Sequence, residues 1–541
     1  ASVITLDYRT KAAPHQTVAS LPFCLQARLA KRSIDSRLMD VTAPRAALLR
    51  QHAVSIPPGS FEPRNHFYTR VLNAQIHPLV SFFLRMSSRR IVNRYCHLNP
   101  RVNPSALEEV LSYSPKYFQW AGADLFCTTT AAGNRRLVVV ETNSCPSGNK
   151  SMPIPSDDDE QAGYRKLIET AFLPLIAKRK PASGGLAVLF DKNYMEASGY
   201  ASVIADLTGE GVYLTPFPDG VENPPARFID GLLEVRDAEG QWQPMRAAFR
   251  YVTQKPWNRI PIRTRTRILN PVVTCLSGGR NKLVAMKAYE LYNAELEASG
   301  LQIRTPQTIG DVAKQEVPLW VRRFGGQAVV KVPYSNAGQG VFTIVNEREL
   351  DRFMEIEHPY DCFVVQSLIG NYVWSSVERA GRFYHVGTIP DRHGDIYVAD
   401  LRVMVCGGAG GFRPLAVYAR RSRKPLPAVL EQGESSWEVL GTNLSERQPD
   451  GSWTASTDRL LLMDRRDFNV VGIGTDDLIE AYIQSVLAAI AIDKMTAMLL
   501  TQKGGLRRSL FRSLDDDPAL FEEIRRGARG AKAVVADGPR T

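Results

Sequence analysis

A lysine closes the apolar run Ala328-Val-Val-Lys331, and Tyr334, Ser335, Asn336, Gly338 and Gly340 follow within ten residues. This spacing suits a phosphate clamp. The ammonium meets phosphate oxygens as a point charge, and the glycines let backbone N–H groups approach them closely. A β-hairpin with a glycine-rich turn would carry the same letters, and the stretch lacks the Gly-Lys-Ser/Thr ending of a P-loop. Glu141-Thr-Asn143 ends a second apolar run that begins at Leu137, and Asp124 lies one run earlier. Two strands joined by a Gly133-Asn134 turn can aim Asp124, Glu141 and Asn143 at one point, an oxygen set suited to Mg2+. The plain alternative is a surface carboxylate at a strand end, because a Glu-x-Asn pattern arises by chance roughly once in a chain of this length.

Further candidates are weaker one by one. Lys282 opens a predicted helix and is either a second phosphate contact or a solvated lysine. Gln366, Ser367, Leu368 and Ile369 follow Val364-Val365. Such an extended segment can meet an adenine through backbone groups and apolar side chains, or it is an ordinary core strand. Asp400-Leu-Arg402 puts opposite charges on one face of a strand, since residues i and i+2 point the same way. These two form a structural ion pair or align a reacting carboxylate or phosphate, which arginine binds in bidentate fashion. Arg420 ends a following strand, and Asn443 sits in Gly441-Thr-Asn-Leu-Ser445. Arg250 ends a strand of an α/β segment, where such sheets commonly bind ligands. The Arg263, Arg265, Arg267 alternation reads as a solvated face.

These residues need elements to hold them. Residues 1–118 read as a mainly helical region, with a helix after Pro104 presenting Ala106, Val110 and Leu111. Residues 119–180 read as two strands followed by a helix through Leu167 and Leu175. Residues 184–275 alternate strand and helix, which predicts a small α/β domain with a partly parallel sheet. In 276–375, Asn281 is the expected cap of a helix from Lys282 to about residue 298, ahead of strands at 328–331 and 363–366. Residues 376–503 hold a run of antiparallel strands over 383–420. A helix follows, with Ile479, Tyr482, Ile483, Val486, Leu487 and Ile490 at helical spacing. Residues 504–541 read as a polar tail, a helix with a loose end from Gly530. No internal repeat is visible.

Composition limits the partners. The 541 residues suggest several lobes, and 44% hydrophobic with 23% charged residues exclude a disordered chain, collagen and a disulfide miniprotein. Sixty-seven Lys and Arg against 56 Asp and Glu give a formal charge of +11. That surplus fits an anionic partner such as a nucleotide or a carboxylate substrate, or simply a basic surface. No Lys/Arg run is interleaved with aromatics, so no nucleic-acid partner is expected. Seven cysteines with no CxxC pair suggest a reduced, cytoplasmic setting without structural zinc. No window reaches the ~20 apolar residues of a membrane helix and no signal peptide is recognised, so no membrane partner is expected.

Taken in order, the segments resemble the ATP-grasp superfamily over roughly residues 120–500. Lys282 in Gly-Gly-Arg-Asn-Lys and Lys331 in Val-Val-Lys-Val-Pro resemble its two phosphate-binding lysines. Residues 334–340 resemble its glycine-rich lid, and 364–370 its adenine hinge. Asp400-Leu-Arg402, Arg420 and Thr442-Asn443-Leu-Ser445 resemble its late strands and loop, and Asp124, Glu141 and Asn143 its magnesium ligands. The order is unusual, because the acidic strands precede the rest. The arrangement resembles circularly permuted members such as eukaryotic-type glutathione synthetase and the glutathionylspermidine synthetase-like group.

The resemblance implies a permuted ATP-grasp α/β (α+β) fold. In it, 119–180 supply the metal-binding strands, 184–275 a substrate domain that precedes the nucleotide lobe, 276–375 that lobe with its lid, and 376–503 the rest of the C-terminal lobe. It further implies a carboxylate–amine ligase acting through an acyl phosphate, with ATP and one or two Mg2+ ions. Its substrates would be a small acid and an amine, such as an amino acid, peptide or polyamine. Lys331, Arg402 and Arg250 would be catalytic, with Arg402 steadying the transferring group and Arg250 holding the substrate carboxylate. Ser144, Ser147, Asp400 and Arg420 would meet substrate, and Cys145 would be a bystander or a reactive thiol. Glu378 is the candidate ribose-binding carboxylate. Two other readings stay open: an ATP-dependent phosphotransferase that releases a phosphorylated small molecule, and a nucleotide-binding protein without turnover.

Overall fold

Alternation of apolar and polar residues sets which face of each strand turns inward, and here it produces several sheets around one large apolar cluster with two small ones. The structure, a computed structural model, describes Ala47 and residues 50–533, apart from 157–158, 178–182, 336–337, 339, 359, 380, 431–432 and 448–452. Among the described residues the fold is mixed α/β, with sheets of seven, four and six strands and a small two-stranded sheet.

The seven-stranded sheet occupies the predicted α/β segment. Its buried strand Gly185–Phe190 runs parallel to Val212–Pro216 on one side and to Trp242–Tyr251 on the other. Antiparallel strands complete one side, so the sheet is partly parallel as its alternation predicts. The short strand Val54–Ile56 adds to its edge beside Val212–Pro216. Residues 50–118 share their apolar core with the rest of the described chain. In the helix Pro104–Ser112 the buried face is Leu107, Val110 and Leu111, while Ala106 is only half-buried.

The six-stranded sheet joins parts of the chain that are remote in sequence. Trp120–Thr130 pairs with its hairpin partner Arg136–Ser144 and also with Ala399–Gly408, which in turn pairs with Gly411–Arg421. One face carries Ala123, Leu125, Leu401, Val403, Val417 and Ala419, all buried. The helix Thr475–Leu499 packs against this sheet and against the helix Lys282–Leu296. It is long and apolar enough to cross a membrane by length and composition, which corrects the expectation that no window is. Within the fold, 83% of that window is buried among protein neighbours.

The four-stranded sheet is wholly antiparallel, in the order Thr308–Ala313, Cys362–Ser367, Ala328–Lys331, Val341–Ile344. Residues 302–306 tie it to the six-stranded sheet. Val139 N donates to Arg304 O at 2.8 Å, and Gln484 on the long helix accepts Arg304 N at 2.8 Å. The polar tail is also held in place. Helices Arg508–Leu514 and Pro518–Ala533 follow, the second running past Gly530 where a loose end was expected. Glu523 accepts from Lys255 Nζ at 2.6 Å and from Trp257 Nε1 at 3.0 Å.

The chain enters Trp120–Thr130 under the control of one buried carboxylate. Asp493, inside the long helix, accepts from Tyr117 N and Phe118 N at 2.7 Å, Lys116 N at 3.1 Å and Tyr113 Oη at 2.7 Å. Removing it orphans several donors at once. Asp493→Ala is expected to lower the unfolding free energy by about 3 kcal/mol or more in denaturant titration. Asp476→Ala, which removes an exposed partner of Arg94, should cost less than about 1 kcal/mol. Equal losses in the two variants would contradict this role for Asp493.

Candidate active site

The face of the six-stranded sheet opposite the long helix carries the charged residues, and strand register explains why. Asp124 lies across from Glu141 on one side and from Arg402 on the other, and Gly122 lies across from Asn143. Asp400 lies across from Arg420, and Arg402 from Tyr418. Period-two alternation therefore points Asp124, Glu141, Asn143, Asp400, Arg402, Tyr418 and Arg420 to one side. The pairing slips by one residue between Asp124 and Leu125, so Val140 is the extra residue of a bulge.

A cleft opens above this face in two adjoining compartments of about 250 Å³ and 260 Å³. Asp124, Glu141, Asn143, Asp400, Arg402 and Arg420 line the first from below. Gln366, Ser367, Leu368 and Ile369 line it from the four-stranded sheet, and Gly338 and Asn443 close over it. Ser147 lines the end nearest the seven-stranded sheet, and Lys331 borders both compartments. Lys282 lines the second compartment, where its Nζ lies 3.4 Å from Glu141 Oε1.

The ion pairs run across strands, where the sequence suggested a pair along one strand. Arg402 grips Asp124 with Nε at 2.6 Å and Nη2 at 2.5 Å. Arg420 holds Asp400 through Nε at 2.9 Å, and its Nη2 lies 3.0 Å from Asp124. Burial opposes ionisation of Asp124, but the two guanidinium groups override it and hold the carboxyl down to about 2. Both Asp124 oxygens thus accept from guanidinium groups. Among the described residues no three His, Cys, Asp or Glu gather where they could hold a metal. The donors that remain are Glu141 and the Asn143 amide. That set fits a Mg2+ ion that takes most of its ligands from phosphate and water, as this ion commonly does.

Lys331 reaches from the four-stranded sheet and donates to Val140 O, in the bulge, at 3.1 Å. Burial pushes its ammonium down to about 8, against the pull of Glu141. Lys282 donates to Ser335 Oγ at 3.0 Å and Ser335 O at 3.2 Å, so Ser335 steadies a lysine and does not line the cleft. Gly338 has φ near 75°, a left-handed conformation that suits glycine, and a Cβ there would sit 2.9 Å from Trp437. Asn336 lies outside the described residues.

Besides Ser335, five expected site residues do not line the cleft. Arg250 is fully buried, and all three of its donor groups are engaged: Nε to Asn270 O at 2.7 Å, Nη1 to Val252 O at 2.9 Å, Nη2 to Ser144 Oγ at 2.8 Å. It clamps two sheets together and cannot hold a substrate carboxylate from there. Ser144 is its partner and is equally buried. The Tyr334 hydroxyl donates to Asp515 and accepts from Asn281 Nδ2 at 2.5 Å, behind the cleft wall. Gly340 packs on Val332. Glu378 accepts from Ser367 Oγ and does not line the cleft either. Cys145 donates its thiol to Arg250 O at 2.9 Å, and burial pushes that thiol up, which suits a bystander.

Several lining residues went unread in the sequence. Lys192 and Asn193 follow the buried strand Gly185–Phe190, at the carboxyl end where such sheets bind ligands. Arg280 stands two residues before Lys282, and Lys150 lies in the polar stretch after Asn143. His385 sits beside Phe126, with ring centroids 4.5 Å apart, and burial drives it down to about 3, so it is neutral in the cleft. The assembly is a trough lined by several cationic side chains, with an apolar end at Phe126, Val329, Leu368 and Ile369.

Burying an ammonium near 8 carries a stability cost with a defined pH window. Below about 8 Lys331 is charged in both states and the native state bears the full cost; it fades as pH rises from about 8 to the unfolded value near 10.5. Lys331→Met is therefore expected to stabilise the chain by on the order of 2–3 kcal/mol at pH 7. Denaturant titrations at pH 7 and pH 10 should find this gain shrinking at the higher pH. A destabilised variant at both would refute it.

No protein-family profile matches this sequence, and no curated protein matches it significantly. Solved structures do resemble it. A glutathione synthetase-like effector from Globodera pallida, in apo form, has a TM-score of 0.33 at 11% identity, covering 69% of this chain and 88% of that one. A RimK domain ATP-grasp protein from Sphaerobacter thermophilus has a TM-score of 0.24 at 16% identity, covering 43% of this chain and 89% of that one.

Proposed function

We propose that this protein is an ATP-dependent carboxylate–amine ligase of permuted ATP-grasp type. The observation that carries this reading is the meeting of Lys331, Lys282, Glu141 and Arg402 in one cleft, from segments far apart in the sequence. The apolar end formed by Phe126, Val329, Leu368 and Ile369, with neutral His385, suits a purine ring. Lys331 and Lys282 suit phosphate oxygens, and Gly338 offers close backbone approach over them. In permuted terms, the hairpin 120–144 fills the place that late strands hold in most ATP-grasp chains, while the chain ends lie elsewhere. A cytoplasmic setting fits the dependence on ATP.

The chemistry follows from the charges. A substrate carboxylate oxygen attacks the γ-phosphorus, ADP leaves, and an acyl phosphate forms. The amine nitrogen then attacks the acyl carbon, its proton passes to solvent, and phosphate leaves with the C–O electron pair. Arg402 stands at the junction, rigidly oriented by Asp124, where its remaining N–H groups can meet the charge that develops on the transferring group. A magnesium ion held by Glu141 and Asn143 would neutralise phosphate charge there. Gly338 and Asn443, which line the cleft from two separate segments, would limit water access to the acyl phosphate.

Glu141→Ala and Lys331→Ala are each expected to lower ATP turnover by about 100-fold or more, while circular dichroism and unfolding cooperativity remain native. ADP release, scored across a matrix of acids and amines, should require both partners. ADP release with acid alone and a stable phosphorylated product would turn the reading to a phosphotransferase. Near-normal turnover in either folded variant would defeat it.

A further inference from the structure

At the apolar end of the cleft the fold leaves a ring nitrogen unpaired. His385 lies across from Thr128, beside Phe126, and lines the same compartment as Leu368 and Ile369. The residue is 8% exposed, and its Nδ1 is buried with no hydrogen-bond partner among the described residues. The carbonyl of Ile369 accepts from the ring. A carbonyl can meet only an N–H, so that proton sits on Nε2 and Nδ1 keeps its lone pair. Burial keeps the ring uncharged, so no second proton occupies Nδ1.

The neighbouring polar groups are already engaged. Gln366 Nε2 donates to Thr308 Oγ1 at 2.9 Å, Ser367 Oγ donates to Glu378, and Thr343 Oγ1 pairs with Ser436 Oγ at 2.6 Å. Along residues 368–370, Leu368 O accepts Ser376 N at 2.9 Å, Gly370 O accepts His385 N at 2.9 Å, and Ile369 O takes the imidazole. Each of these carbonyls therefore has a donor, and Nδ1 has none. A buried acceptor without a donor is costly to the empty protein, and a ligand that supplies the donor recovers that cost.

We infer that His385 selects the base of the nucleotide, its Nδ1 lone pair accepting from the exocyclic amino group of adenine. This rests on the ligase reading and adds a specificity determinant to it. Guanine carries a carbonyl oxygen at the same ring position, which would set two acceptors against each other. An unsubstituted purine has the same flat ring with neither group, and would leave Nδ1 as unpaired as it is in the empty protein. A site that relies on one buried hydrogen bond rejects the analogue that lacks the donor.

The test measures calorimetric binding of ATP, GTP and purine riboside triphosphate to the intact protein, with Mg2+ and without acid or amine. The three share ribose and phosphates, so differences in affinity report the base. ATP should bind about ten-fold or more tightly than either of the others. His385→Phe should weaken ATP by a similar factor and leave purine riboside triphosphate unchanged, so the gap between these two closes. Unchanged binding of the unsubstituted nucleotide also reports that the variant folds. His385→Asn, whose Oδ1 branches from the same carbon as Nδ1 does, should keep most of the preference.

Native protein that binds GTP or the unsubstituted nucleotide as tightly as ATP would overturn the inference and leave the ligase reading standing. A preference for ATP that persists in His385→Phe, or one that is lost in a folded His385→Asn, would do the same. Should His385→Phe not fold, the native comparison and His385→Asn decide. Binding of none of the three nucleotides would defeat the ligase reading, and this inference with it.

Discussion

The structure depends on a buried array of two carboxylates and two guanidinium groups at the centre of one sheet. Asp124 comes from the hairpin near residue 130, and Asp400, Arg402 and Arg420 come from strands almost 300 residues later. Their charges sum to zero. An array of this kind adds little net stability, because each charge gives up its hydration. Its effect is on register. Sliding Trp120–Thr130 by one residue against Ala399–Gly408 would turn Asp124 into the apolar face and bury its charge unpaired. The correct register is the one that keeps all four charges together, and with it come Glu141 and Asn143 facing the cleft.

A second constraint joins the sheets. The bulge at Val140 breaks the ladder and turns a carbonyl toward Lys331, which donates to it from the four-stranded sheet. Lys331 is a buried and Lys192 a half-buried cation, and their surroundings do not fully repay their lost hydration. Such groups weaken the empty protein and are strengthened by an anionic ligand. The stability given up is held where an anion would return it, the usual physical signature of a binding site.

Much of the scaffold was legible because its signals are local. Asn281 caps its helix with Oδ1 accepting Val284 N at 3.0 Å, as the sequence indicates. The strand ending at Lys331, the Gly133 hairpin and the strands from 383 onward follow from two-residue alternation. Several side-chain roles were illegible because they depend on distant partners. Arg250 ends a strand of an α/β sheet, a position that suggests a ligand, yet Ser144 and Asn270 consume its donors. The alternation placed Asp400 and Arg402 on one face but could not reveal that each pairs with a neighbouring strand. Lys192 was overlooked because a single lysine after an apolar run is ordinary text, and only the surrounding fold makes it exceptional.

Tyr334 illustrates how a misread residue can still matter to the site. Its hydroxyl meets Asp515, 181 residues away, and Asn281. Asn281 in turn caps the helix that begins with Lys282 and donates to Asp515 at 2.9 Å, while Lys282 N donates to Pro333 O at 3.0 Å. Tyr334 lies three residues beyond Lys331, so one buried node fixes the approach to both cleft lysines. It lies behind them, where it can set their separation without touching a ligand. The polar C-terminal segment, which reads as a tail, therefore helps to position the cations that carry the chemistry.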